Sequence, residues 1–235
     1  MYNHFYRIPS ENFQNYTVKV KETNLFIKSH INKRNEIERN LKDLRKDIED
    51  YIQKRKNFLN SLKPLKIDED APQIVKEMMK YTQIAGVGPM AAVAGAIAEF
   101  VGKGVMNDEE YIIENGGDIF LKLNTPPKIA IFAGSSPLSG MMIKLKKDPL
   151  PYGICTSSAT VGPSLSLGKT DACVIISHSA ILSDALATRI GNIVKDEKDI
   201  KTGLNFAQNI NAVLGCIIII GNKTGMWGDI EVCKG

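Results

Sequence analysis

The chain has 235 residues, of which 43% are hydrophobic and 24% charged, and its net charge is +4. Those proportions belong to an ordinary globular protein long enough to bury a sizeable core. The excess of Lys and Arg lies between residues 19 and 66 and comes without finger spacing or an aromatic-interleaved basic platform, which argues against nucleic acid as a partner.

Residues 1–8 are aromatic and polar and predict a first strand or arm. They lack the apolar stretch of a signal peptide, so a cytoplasmic chain with reduced thiols is expected. Residues 16–20 (YTVKV) alternate apolar and polar, and 24–29 (NLFIKS) do so more loosely, which predicts a hairpin around 21–23. The longest helical pattern runs over 32–62, with Ile37, Leu41, Leu44, Ile48, Tyr51, Ile52, Leu59 and Leu62 at helical spacing. Its charged residues read as a solvated face. Pro64 ends it, and a second helix starts near Ala71-Pro72 and runs to Ile84.

Then comes GVGPMAAVAGAIAEFVGKG. Gly86 and Gly88 break the chain, and Pro89 restarts it into an Ala/Gly helix over 90–101. The small residues Ala91, Gly95 and Ala98 let another backbone approach closely. Residues 84–101 barely reach the length of a membrane span and include Pro89 and Glu99, so a packed interior helix is expected and no membrane contact.

YIIENGGDIFLKL predicts two strands about a Gly116-Gly117 turn, flanked by Glu114, Asn115 and Asp118. Further strands are expected over 128–133 and 141–145. The stretch 153–192 reads as a Ser/Thr/Gly loop entered at Gly153, an apolar strand, and a helix opening at Ser183-Asp184 and running over 184–194. A short helix over 203–210, a strand over 214–220, a turn over 221–224 and a last strand near 230–233 complete the chain. Hairpins mixed with crossovers, and no repeating βα unit, point to an α+β fold with mixed or antiparallel sheets and packed helices. The chain reads as one domain over 1–235, with residues 1–66 an integral part.

Chemistry concentrates in 153–192. A loop rich in small hydroxyl residues brings backbone N–H groups to an anion, and a helix start adds a favourable field. Asp184 and Thr188 are four apart and share a helix face, a carboxylate and hydroxyl suited to an oxygen-ligand metal. VGPSLSLGKT is not a P-loop: five residues separate Gly162 from Gly168, and a strand rather than a helix follows Lys169-Thr170. The loop still offers backbone N–H groups to a phosphate, with Lys169 as counter-charge. Cys155 is either a nucleophile or sulfur carrier, if nearby dipoles lower its pKa, or a small buried hydrophobe. His178 reads as a hydrogen-bonded structural residue. Ser157, His178 and Asp184 make no triad, because no GxSxG elbow exists. The four cysteines, Cys155, Cys173, Cys216 and Cys233, contain no CxxC pair, which argues against zinc.

ENGGD at 114–118, the loop from Gly153 and SDALATRIG at 183–191 occur in the order and spacing of the ApbE-like superfamily, which includes FAD:protein FMN transferases. With GVGPMAAVAGAIAE at 86–99 and the long first helix, the chain resembles a small cytosolic branch found in archaea and bacteria. The resemblance implies a single ApbE-like (T-fold-like) domain and a homodimer. It implies magnesium held by Asp184 and Thr188, which match the D-A-x-x-T motif, and FAD or FMN as ligand. Gly116, Gly117, Asp118, Ser157, Ser158 and Gly162 would cradle a phosphorylated small molecule. This sequence departs from the transferases in two places. PSLSLGKTD replaces a His-Ile-Asp-Pro segment, and Ala98-Glu99-Phe100 stands where they carry Ala-Lys-Gly. The branch also implies an alternative, sulfur handling through Cys155 in sulfide incorporation during homocysteine formation. A third is a non-catalytic protein making contacts through the 32–62 helix.

Overall fold

The computed structural model describes residues 13–106, 109–159 and 168–233; the predicted arm at 1–8 and Gly162 lie outside them. Its centre is an eight-stranded sheet in which every pair is antiparallel, in the order β1-β2-β3-β4-β7-β8-β9-β10. These strands are β1 Gln14–Val20, β2 Thr23–Ser29, β3 Tyr111–Asn115, β4 Asp118–Lys122, β7 Tyr152–Ser157, β8 Ala172–Ser177, β9 Val213–Ile220 and β10 Lys223–Gly228. A second, three-stranded sheet consists of β5 Lys128–Ile131, β6 Met141–Leu145 and β11 Ile230–Cys233, in the order β11-β6-β5.

The middle of the large sheet, from β4 through β7 and β8 to β9, is covered on both faces, which explains the uninterrupted apolar runs of β8 and β9. Successive side chains point to opposite faces. Cys173, Ile175, Cys216 and Ile218 enter a core shared with the helices. Val174, Ile176, Ile217 and Ile219 enter a second core shared with Ile131, Ile143 and Leu145 of the small sheet.

On the helix side lie α1 Arg34–Lys54, α2 Lys56–Asn60, α3 Gln73–Ala85, α4 Val93–Val105, α5 Ala180–Ile193 and α6 Ile200–Gln208. The predicted 32–62 helix is two helices, broken at Arg55, whose backbone leaves the helical region at φ −132° and ψ 76°. The break turns Phe58 into the core, edge-on to Tyr51 at 5.1 Å, and leaves Leu59 and Leu62 in solvent. Ile37, Leu41, Leu44, Ile48 and Tyr51 are all buried, so the apolar face of α1 is already covered by its own chain. Several of its charges are paired within the chain, among them Arg45 with Glu22 and Glu49, and Lys42 with Glu38.

Pro89–Ala92 is a tight 3-10 turn before α4, and α3 and the segment Pro89–Val105 bend by 101° at their break. No single helix among the described residues is long and apolar enough to cross a membrane. The region 221–224 is more than a turn: it opens β10, which pairs with β9 from Lys223 onward.

Candidate cation and phosphate site

Gly116, Gly117, Asp118, Cys155 and Asp184 lie where one end of the large sheet meets α4 and α5. Gly116 and Gly117 join β3 to β4 with φ values of 67° and 106°, both in the left-handed region that a tight two-residue hairpin requires. The register sets Asn115 opposite Asp118. Both lie on the helix-facing side of the sheet, since Ile113 and Phe120, two residues away on each strand, belong to the helix-side core. Cys155 and Ser157 of β7 share that face. The segment from Gly153 is therefore strand through Ser157, and not loop as the composition predicts. Gly153 allows this close fit: a Cβ there would lie 2.2 Å from the Ala180 nitrogen.

Helices α4 and α5 are in close contact. A Cβ on Gly95 would sit 2.3 Å from the Ala180 carbonyl oxygen and 2.9 Å from the Asp184 Cβ. The small residue lets the Gly95 N–H donate to Asp184 Oδ2 at 2.9 Å. The amide of Asn115 donates to the carbonyl of the preceding residue, Ala94, at 3.1 Å. One turn further along α4, buried Glu99 accepts from Ser179 Oγ at 2.8 Å and from the Ile181 N–H at 3.1 Å.

These contacts correct the expected helix start. α5 begins at Ala180 with Ser179 as its N-cap, a turn before Ser183-Asp184, and Ser183 instead donates inward to the Gly153 carbonyl at 2.8 Å. The start of α5, which would attract an anion, is occupied by the chain's own Glu99 carboxylate. Asp184 stands in the second turn.

Burial pushes the partly exposed Asp184 carboxyl up to about 7, against the opposing effect of the Gly95 and Ala94 N–H groups. Asp118 is pushed well above the usual carboxylate range, first by burial and then by the charge of Asp184. Each condition is relieved by a bound cation. Thr188, also partly exposed, follows Asp184 by one turn. Carboxylate and hydroxyl oxygens are the donors a hard divalent cation takes, so the residues present fit magnesium. Among the described residues no group of three or more His, Cys, Asp or Glu side chains converges on one point. Magnesium here would complete its shell with water and ligand oxygens, as it commonly does beside phosphates.

The remaining candidates are distributed unevenly. Ser157 lies beside the second half of α5, where its Oγ is 3.4 Å from the position of a Cβ on Gly191. Ser158 is buried, and Lys169 is exposed, with its N–H donating to the Val194 carbonyl at 3.1 Å. Glu114 accepts from the Gly117 N–H at 2.8 Å and so steadies its own turn. His178 is bonded to the Pro151 carbonyl at 2.9 Å, a structural role. The role of Gly95 was half legible: its small size announces a close approach, but not to which carboxylate.

Cys155 is fully buried and donates to the Ala180 carbonyl at 3.3 Å. Burial, and next the charges of Asp118 and Asp184, push its thiol well above the ordinary range and disfavour the thiolate. Iodoacetamide is therefore expected to modify the partly exposed Cys233 first in the native protein, and Cys155, Cys173 and Cys216 only on unfolding. Peptide mass mapping over time checks this; early labelling of Cys155 would restore it as a nucleophile.

The helix layer, large antiparallel sheet and small sheet make up a fold shared with flavin transferases. The chain matches Flavin Transferase ApbE from Vibrio cholerae with a TM-score of 0.60 at 14% identity, covering 93% of this chain and 97% of that one. It matches apo Pseudomonas stutzeri flavinyl transferase ApbE with a TM-score of 0.59 at 14% identity, covering 92% and 93%. Likeness at such identity is likeness of fold.

The chain belongs to the family described as AbpE bacteria, which matches residues 6–212. A UPF0280 protein of Methanococcus aeolicus is 41% identical over 225 residues, covering 91% of this chain and 89% of the relative. A UPF0280 protein of Methanocaldococcus jannaschii is 40% identical over 221 residues, covering 90% and 89%. The ApbE-like α+β architecture expected from the motifs is thus that of this chain.

Proposed function

We propose that this protein binds a phosphorylated small molecule, a flavin nucleotide or a related phosphate or pyrophosphate, with the help of magnesium. The observation that carries this reading is the Asp184 carboxylate, set by the Gly95 N–H beside a second carboxylate and one turn before Thr188. Asp184 and Thr188 would hold the ion, which when bound polarises a phosphate oxygen.

The chain's own residues do the rest. Gly95 orients Asp184, and the backbone at Gly116-Gly117 together with Ser157 and Ser158 lines the approach. Glu99 takes up the helix start, so the charge of an anionic ligand must be met by the cation. The same Glu99 stands where the resemblance places a lysine, and FMN transfer is not part of this reading.

Calorimetric titration with FAD, FMN and ADP, each with and without magnesium, tests it. Binding that requires magnesium and is lost in Asp184→Ala is the expected result. No binding by the native protein, or binding indifferent to Asp184→Ala, overturns the proposal.

A further inference from the structure

We propose that Asp118 is the second carboxylate of the cation site, so that Asp118, Asp184 and Thr188 together hold one divalent ion. This rests on the reading above and adds a ligand to it. Two chains of contacts bring Asp118 to Asp184. Its register partner Asn115 bonds the Ala94 carbonyl, and the next residue, Gly95, donates to Asp184. On the other side, Cys155 of the neighbouring strand donates to the carbonyl of Ala180, one turn before Asp184.

The state of the Asp118 carboxylate is the second observation. The residue is 8% exposed, and its Oδ1 is buried without a hydrogen-bond partner. A buried carboxylate oxygen left unpaired is costly, and native folds keep such groups where something binds them. The other buried acids nearby are served: Glu99 by Ser179, Ile181 and Lys103, and Glu114 by the Gly117 N–H. Glu114 and Asp118 both flank the glycines in sequence. The structure separates them, because Glu114 is spent on its own turn while Asp118 keeps an oxygen for a ligand.

The test uses Mn2+ as a paramagnetic stand-in for magnesium, with free Mn2+ read by electron paramagnetic resonance in the full chain and in the isosteric variants Asp118→Asn and Asp184→Asn. Each variant is expected to weaken Mn2+ at least about tenfold, the lower bound known even for groups one step outside a metal's ligands. Asp118→Asn is also expected to melt above the native protein without cation, yet to gain nothing from magnesium. A merely structural Asp118 would share the higher melting temperature, because Asn removes a buried charge in either case, but would leave Mn2+ affinity and the gain from magnesium unchanged.

Asp118→Asn that binds Mn2+ as tightly as the native chain, while Asp184→Asn does not, overturns this inference and leaves the proposed function standing. That outcome would mean a proton, not a metal, satisfies Asp118. No Mn2+ binding by the native chain overturns both. Should Asp118→Asn fail to fold, the native protein serves: the Asp118 carboxyl carbon resonance is expected to shift on magnesium addition, and an unmoved resonance overturns the assignment.

Discussion

Gly95→Ala is expected to be among the most damaging single-methyl changes in this chain, abolishing magnesium-dependent ligand binding and destabilising the fold by about 1–3 kcal/mol or more. The added Cβ would stand 2.3 Å from the Ala180 carbonyl oxygen and 2.8 Å from its carbon, which are backbone atoms that cannot rotate away. Helices α4 and α5 would have to separate. Separation breaks the Gly95-to-Asp184 hydrogen bond and strains the Glu99 contacts one turn along.

Gly104→Ala on the same helix is the matched control. There the atoms nearest the new Cβ belong to the flexible Asn40 side chain, the first at 3.2 Å, and replacing a helical glycine by alanine is favourable by up to about 1 kcal/mol. Urea midpoints for the pair, with calorimetry in magnesium, decide the matter. Equal stability of the two variants would show that the contact between α4 and α5 yields easily.

The second large effect is a pH dependence of the cation-free protein. An ordinary aspartate titrates near 3.9 in the unfolded chain, about three pH units below the value of about 7 to which burial raises Asp184. Between about pH 4 and pH 7 the unfolded chain has lost this proton while the folded chain keeps it. The folded state binds more protons there, so stability falls as pH rises, by at most about 1.4 kcal/mol per unit for one group. The penalty is complete above about pH 7. Asp118, raised in the same direction, extends the fall upward.

Asp184→Asn should flatten this slope, and magnesium should restore stability most strongly near pH 8. Thermal melts across pH 4–8, with and without magnesium, read both. A native protein that becomes steadily more stable from pH 4 to 7, after subtraction of the Asp184→Asn profile, would contradict the assigned environment of Asp184.

Much of this protein follows from sequence alone, for local reasons. Alternation of apolar residues yields the first hairpin, an Ala/Gly run yields a helix that packs closely, and two adjacent glycines yield the turn between β3 and β4. The Asp184 and Thr188 pair is legible because helical spacing is a property of neighbours in the chain. The motif string at 86–99 and ENGGD carried the family.

Tertiary structure alone decided what depends on partners distant in sequence. GICTS reads as loop by its small residues, but becomes β7 because β4 and β8 supply ladders on both sides. The helix start moves back to Ser179 because Glu99, 80 positions before it, accepts from the Ser179 hydroxyl and the Ile181 N–H. Sequence leaves Cys155 as either a nucleophile or a small buried hydrophobe, and burial beside two carboxylates, which disfavours its thiolate, decides for the second. Asp118 and Glu114 flank the same glycines and cannot be told apart by composition. Only the register of β3, β4 and β7 turns one toward Asp184 and leaves the other steadying its own turn. Electrostatic coupling depends on distance through space, which spacing along the chain does not encode.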